Sequence, residues 1–185
     1  RCRCSCRCAG SHVVLVAAGG AARPVVAKAI KTVPLLATGM PAGLLTAAAR
    51  LGDDKQGTLE QALIGRLGDV LVNEVPLEGF LAVLGKLGTA RSSDALLACM
   101  DLASEPRRLL AIRTLALLKN PAREPAFLER LVSAMAEGRS DPELRAFATV
   151  LRELSGTKED FGLNVGEWRG FVKRLEREAA GSKKK

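Results

Sequence analysis

The chain has 185 residues, of which 48% are hydrophobic and 26% charged, and its formal net charge is +8. That length suits one domain with a real core or one short repeat array, and the proportions are those of a soluble folded protein. Arg1, Arg3, Arg7, Lys183, Lys184 and Lys185 lie in tails that hold no acid, so 22 of the 28 basic residues face 20 acidic ones in the body, a balance of +2 that argues against a strongly basic nucleic-acid surface.

Leu and Ala dominate the apolar set, while aromatics make up only 3%. Both are strong helix formers, whereas strands favour β-branched and aromatic side chains, so the expected fold class is all-α. The chain opens on "RCRCSCRC", with Cys2, Cys4, Cys6 and Cys8 at alternate positions. Extended, these thiols would face one side, and four thiolates can hold zinc. Structural zinc sites usually separate ligand pairs by a longer insert that folds around the metal, so this stretch reads as a leader, with no metal and no cofactor. His12, the only histidine, stands outside the periodic region. "VVLVAAGGAA" (Val13 to Ala22) follows the arginines and ends in small residues, as the h-region of a signal peptide does. Its two glycines and short apolar run weigh against that. A cytoplasmic location is expected, with export the alternative if residues 1–22 are a signal segment. Residues 1–24 read as leader, 25–180 as a helical repeat domain whose closing cap is 157–180, and 181–185 as a basic tail.

"VVAKAIKTVPLL" (Val25 to Leu36) is a first helical pattern interrupted by Pro34. The longest uncharged run, Thr32 to Ala49, contains Pro34, Gly39, Pro41 and Gly43 and makes a poor membrane span. Four segments then end alike: Pro41 to Gly52, Pro76 to Gly88, Pro106 to Lys119 and Pro142 to Gly156. Aligned on their last leucines, Leu51, Leu87, Leu118 and Leu154 coincide, at offsets of 36, 31 and 36 residues. Three residues earlier stand Ala48, Leu84, Leu115 and Leu151; six earlier Leu45, Leu81, Ile112 and Ala148; seven earlier Leu44, Phe80, Ala111 and Phe147. That is one apolar stripe at helical period. Glu74, Glu105 and Asp141 share the entry column, with Pro106 and Pro142 next to two of them. Proline at the first helical position and a carboxylate before it both suit a helix start.

Between these B helices lie A helices. "TLEQALIGRLGDVLV" places Leu59, Leu63, Leu67 and Val70 on one side, with Thr58 and Gln61 at capping-box spacing. "SDALLACMDLA" groups Leu96, Leu97 and Met100, with Cys99 as a small hydrophobe; "PAFLERLVSAMAE" groups Leu128, Leu131, Val132 and Met135. The adjacent Asp53 and Asp54 lie in a polar turn, where helix capping is the expected role. A plain bundle would need the same Leu/Ala face, but the repeat offset and common register favour about four stacked helical hairpins.

"SDPELRAFATVLRELSG" (Ser140 to Gly156) resembles the second helix of a short bacterial HEAT repeat through Asp141, Pro142, Leu144, Arg145, Ala148, Leu151 and Leu154. "LSGTKEDFGLNVGEW" resembles the "LTG–DFG–D–W" ending of many such proteins through Leu154, Gly156, Phe161, Gly162 and Trp168, with Asn164 near the family's usual Asp. The resemblance implies a right-handed αα superhelix, a HEAT-like solenoid with a C-terminal capping helix. It implies too that B helices line the concave surface. Candidate binding residues there are Arg50, Lys86, Arg113, Arg145 and Arg152. Their forked or cationic heads suit carboxylates, although Arg145 has Asp141 and a neighbouring turn as internal alternatives.

The function expected is a non-enzymatic scaffold that binds another protein, acidic or of mixed charge. A nucleic-acid-binding solenoid is the alternative, and an enzyme of the kind related to bilin lyases, which share this repeat class, ranks below it. "DFG" at Asp160 to Gly162 is not a kinase motif here, because no Gly-rich phosphate loop or "HRD" catalytic loop accompanies it.

The last repeat has no successor to cover it, so bulky aromatics are expected to close the array. Phe161, Trp168 and Phe171 supply them, and Trp168, Phe171, Val172 and Leu175 share a helix face. A ligand-stacking aromatic site is the competing role. Trp168→Ala should therefore cost about 3–5 kcal/mol in chemical denaturation, and a variant that melts like the parent would reveal an exposed aromatic with other work.

Overall fold

The Leu/Ala stripes wind into nine α-helices among the residues that the computed structural model describes, 19–35, 39–53, 55–73, 75–118 and 124–182. They are α1 (Arg23–Thr32), α2 (Ala42–Leu51), α3 (Thr58–Val72), α4 (Glu78–Leu87), α5 (Ala90–Cys99), α6 (Glu105–Leu115), α7 (Pro125–Ala136), α8 (Asp141–Ser155) and α9 (Val165–Ser182). No strand occurs among the described residues. The leader with Cys2, Cys4, Cys6, Cys8 and His12, together with Leu36, Asp54, Glu74, Lys119 and the terminal lysines, lies outside them.

Local chemistry sets most helix ends. Val33 stands before Pro34 in extended backbone, which stops α1 because a residue before proline avoids the helical region. Gly156 adopts φ 64° at the end of α8, a left-handed cap that glycine takes without strain. Asp53 caps α3: its carboxylate accepts the Leu59 N–H at 3.1 Å and the Glu60 N–H at 2.7 Å. Gly57, one residue before the expected Thr58, takes the N-cap position of α3, and the Gln61 amide donates to the Gln56 carbonyl at 2.9 Å. Glu105 and Asp141 are likewise not caps. They are the first residues of α6 and α8, one place inside the helix, so Pro106 and Pro142 fall second. Glu105 instead accepts the Ser140 hydroxyl at 2.8 Å and ties the starts of α6 and α8 together. Helix α5 begins three residues before the expected Ser93, since Thr89 caps it by accepting the Arg91 N–H, and a 3-10 turn takes over at Met100–Leu102.

Each odd-numbered helix packs on its even-numbered follower: α1 on α2, α3 on α4, α5 on α6 and α7 on α8. Even-numbered helices also lie side by side in the order α2, α4, α6, α8, while α1 lies beside α3, α3 beside α5, and α7 beside α9. Neighbours in a row run parallel, shown by which ends meet. Arg108 joins Glu143 near the starts of α6 and α8, and Gly85 and Gly88 meet Leu117 and Leu118 near the ends of α4 and α6. Glu60 receives the Thr89 N–H at 2.6 Å and the Ser92 hydroxyl at 2.7 Å, linking the starts of α3 and α5. The break is between α5 and α7, which touch only slightly and are bridged by Asp94–Arg130 and Asp101–Arg139 ion pairs.

The aligned columns form the core. Ala48, Leu84, Leu115 and Leu151 are all fully buried, and of the sixteen aligned residues only Leu44 and Leu51, both in α2, are partly exposed. The aromatics gather at the start of α9, and α9 packs against α7 rather than over α8. Trp168 is fully buried and donates its indole N–H to the Gly162 carbonyl at 3.2 Å. Phe161 meets it edge-on at 4.8 Å between ring centroids and lies 5.4 Å from Phe171. Asn164 caps α9 by accepting the Gly166 and Glu167 N–H groups at 3.0 and 3.2 Å. The polar residues expected on the outer side of α9, from Glu167 to Arg177, are exposed, and the helix runs on through Ser182.

Two glycines in helix interiors separate packing from propensity. A Cβ on Gly85 would lie 2.9 Å from the Leu117 Cβ, whereas one on Gly65 would meet nothing within 4 Å. Gly65→Ala should raise unfolding free energy by up to about 1 kcal/mol. Gly85→Ala should lower the melting temperature despite the same propensity gain, because α4 and α6 must move apart.

Candidate functional site

Helices α6 and α8 pack side by side with their starts together, and a groove of about 550 Å³ opens between their outer flanks. From α6 and the turn after it come Leu109, Arg113, Ala116 and Leu117; from α8 come Pro142, Arg145, Ala146, Thr149, Val150 and Glu153. The α8 set recurs at helical spacing, so one stripe of that helix forms a whole wall. Leu117 is the most exposed large hydrophobic side chain among the described residues, at 64%. Its Cβ and Cδ1 lie against Gly85 of α4, which places the side chain at the edge of the groove.

Of the five expected binding residues, this groove gathers two, Arg113 and Arg145. Both are exposed. Among the described residues Arg145 makes no ion pair with Asp141, its internal alternative. Arg152 is engaged elsewhere, in a 2.7 Å ion pair with Asp160. It borders a second hollow of about 450 Å³, on the far side of the Arg145–Thr149 ridge, with Leu163 at its edge. Arg50 and Lys86 lie exposed on α2 and α4, in the same row but away from the groove.

Most other arginines of the body serve the fold. Arg107 donates to the carbonyls of Val70, Leu71, Asn73 and Val75 and so satisfies the open end of α3. Arg23 does the same for Leu51 and Gly52 at the end of α2, and Arg66 reaches the Val33 carbonyl at 3.1 Å. Arg108 forks onto the buried Glu143, which also accepts the Arg139 N–H at 3.0 Å. Two buried carboxylates, Glu60 and Glu143, are thus saturated by donors and serve as structural ties. Arg113 and Arg145 stand apart from these: among the described residues neither guanidinium is given a carboxylate or a carbonyl partner, a condition that Arg50 on α2 shares.

The apolar lining was missed in the sequence. Leu117 falls outside the aligned columns of the Pro106 to Lys119 segment, and its contact with Gly85 is visible only in the folded chain. The repeat register held a clue: the 36-residue offset places Leu109 on Arg145 and Arg113 on Thr149, so the wall that α6 presents recurs on α8 in more polar form.

Among the described residues no three His, Cys, Asp or Glu side chains gather as they would around a metal ion, and no helix is long and apolar enough to cross a membrane. Cys99, half-buried on α5, is a free thiol whose pKa is raised by loss of water around it. The neutral thiol is thereby favoured in the folded chain. The unfolded chain ionises at lower pH, so this group's contribution to stability is intact below the ordinary thiol range and declines as pH rises through it. Site-resolved alkylation with iodoacetamide should be slower at Cys99 than in the denatured chain, with its rise displaced to higher pH; equal rates at neutral pH would contradict that placement.

No protein-family model, curated protein or solved structure matches the chain.

Proposed function

We propose that the chain is a protein-docking scaffold, a short HEAT-like solenoid of four hairpins closed by α9, whose even-numbered row presents the binding face. Its hairpin order, parallel rows and repeated Leu columns support the solenoid reading. The observation that carries the function is the pair Arg113 and Arg145, exposed beside an apolar groove and left without a carboxylate by a fold that gives many of its other arginines a partner. Unpaired guanidinium groups next to exposed leucine suit an interface in which a partner brings both the acids and the apolar cover. No cofactor enters this reading, and the scaffold is not an enzyme.

A photo-crosslinking residue at Thr149, introduced in the native source, should capture one defined protein. Arg113→Glu with Arg145→Glu should lower that capture by about tenfold or more, while Arg50→Glu leaves it unchanged. A gel shift with duplex DNA and with RNA at two salt concentrations separates the nucleic-acid reading, which requires binding that weakens steeply with salt and depends on the same two arginines.

A further inference from the structure

The walls of the groove decide what shape of partner it can hold. Both are helix flanks, and residues such as Arg113, Ala146 and Val150 lie inside helices whose backbone groups bond along their own axis. Among the described residues no strand edge lines it, and the turn at Ala116 and Leu117 bonds back to Arg113 and Thr114. An extended peptide laid there would bury backbone donors and acceptors with nothing to meet them, a heavy loss. A helix arrives with its backbone already satisfied and presents side chains alone.

The lining then decides the chemistry. From Pro142 to Glu153 the α8 wall spans eleven residue steps, about 16 Å at 1.5 Å per residue, or three helical turns. Pro142 stands at the end where the two helices start; Arg145 follows, level with Leu109; Arg113 comes about one turn on, level with Thr149 and Val150; and Leu117 and Glu153 stand at the other end. The two cations thus stand about one turn apart, one on each wall, with apolar lining beside both. We propose that this groove takes one amphipathic α-helix of a partner protein, about three turns long, whose carboxylates meet Arg113 and Arg145 and whose apolar stripe covers Leu109 and Leu117. This rests on the docking reading and narrows it to one class of partner. The second hollow is the poorer seat, because Asp160 already neutralises Arg152 there.

A synthetic peptide of about 15 residues, held helical by side-chain lactams, provides the probe. It carries Leu along one face and Glu one turn apart beside that face. Three versions are compared by fluorescence anisotropy against the full chain: the Glu peptide, the same peptide with Lys for Glu, and the Glu peptide with two central prolines. The Glu helix should bind, and Arg113→Glu with Arg145→Glu should weaken it by about tenfold or more. The Lys version should fail on the parent chain and recover on the doubly reversed variant. Leu117→Glu should also weaken the Glu helix, with circular dichroism melts confirming that each variant folds. The proposal is overturned if the Glu helix does not bind up to about 1 mM, if the proline-broken peptide binds as well, or if charge exchange brings no recovery. Capture at Thr149 of a partner that engages as an extended segment would sink the helix while leaving the docking reading intact. Absence of both capture and peptide binding would remove the two together.

Discussion

A helix with Leu or Ala at every third or fourth position cannot hide that stripe on its own. The architecture follows from where each stripe goes. In the even-numbered row, Leu84 of α4, Leu115 of α6 and Leu151 of α8 are each fully buried at the same place in their helices. Burying one such side chain contributes about 1.5–3 kcal/mol, and no other recurring contact in the chain approaches the sum over a row. Because each stripe needs a neighbour, the rows must extend until something closes them. At the end of the odd-numbered row α9 packs on α7 and brings Trp168 with it. The indole is fully buried, and its N–H is still satisfied by the Gly162 carbonyl. Phe161 and Phe171 steady it edge-on, an arrangement that adds to area burial.

Polar groups follow from the same packing. Parallel helices in a row leave their carbonyl ends aligned along one edge, where each needs a donor. Arg107 reaches four carbonyls at the end of α3, and Arg23 two at the end of α2. Glu60 and Glu143 do the converse at helix starts, where they collect N–H and hydroxyl donors or a guanidinium. These ties are buried and would be costly to break singly. The seam between α5 and α7 is different. It is bridged by Asp94–Arg130 and Asp101–Arg139, pairs whose side chains remain about half exposed or more and which contribute about 0–1 kcal/mol each. The odd-numbered row is therefore weakest there, and the even-numbered row carries continuity from α6 to α8 through Arg108 and Glu143.

The groove is a product of this division. Where α6 and α8 meet, their inner faces are consumed by the core and their starts by the Glu105–Ser140 and Arg108–Glu143 ties. The outer flanks have no such obligation. Among the described residues Arg113 and Arg145 consequently keep heads without a carboxylate, and Leu117 stays on the surface even though its Cβ and Cδ1 lie against Gly85. The exposed apolar surface and the unpaired charge arise together at one place.

Periodicity determined the helices and the core. The four aligned columns name side chains that are buried with two exceptions, Leu44 and Leu51, both in α2, the first helix of its row. The aromatic cluster, the glycine that ends α8 and the capping role of Asp53 were legible for the same reason: each depends on residues close in sequence. What periodicity could not supply is which helix meets which. Only the tertiary structure decided that α9 covers α7, that α5 and α7 barely touch, and that Arg113 and Arg145 share a groove while Arg152 turns to Asp160. Those outcomes depend on contacts across thirty or more residues, or on which of two exposed flanks a side chain leaves the helix. A stripe at period 3.6 marks the side of a helix that is buried, and says nothing about the neighbour that buries it.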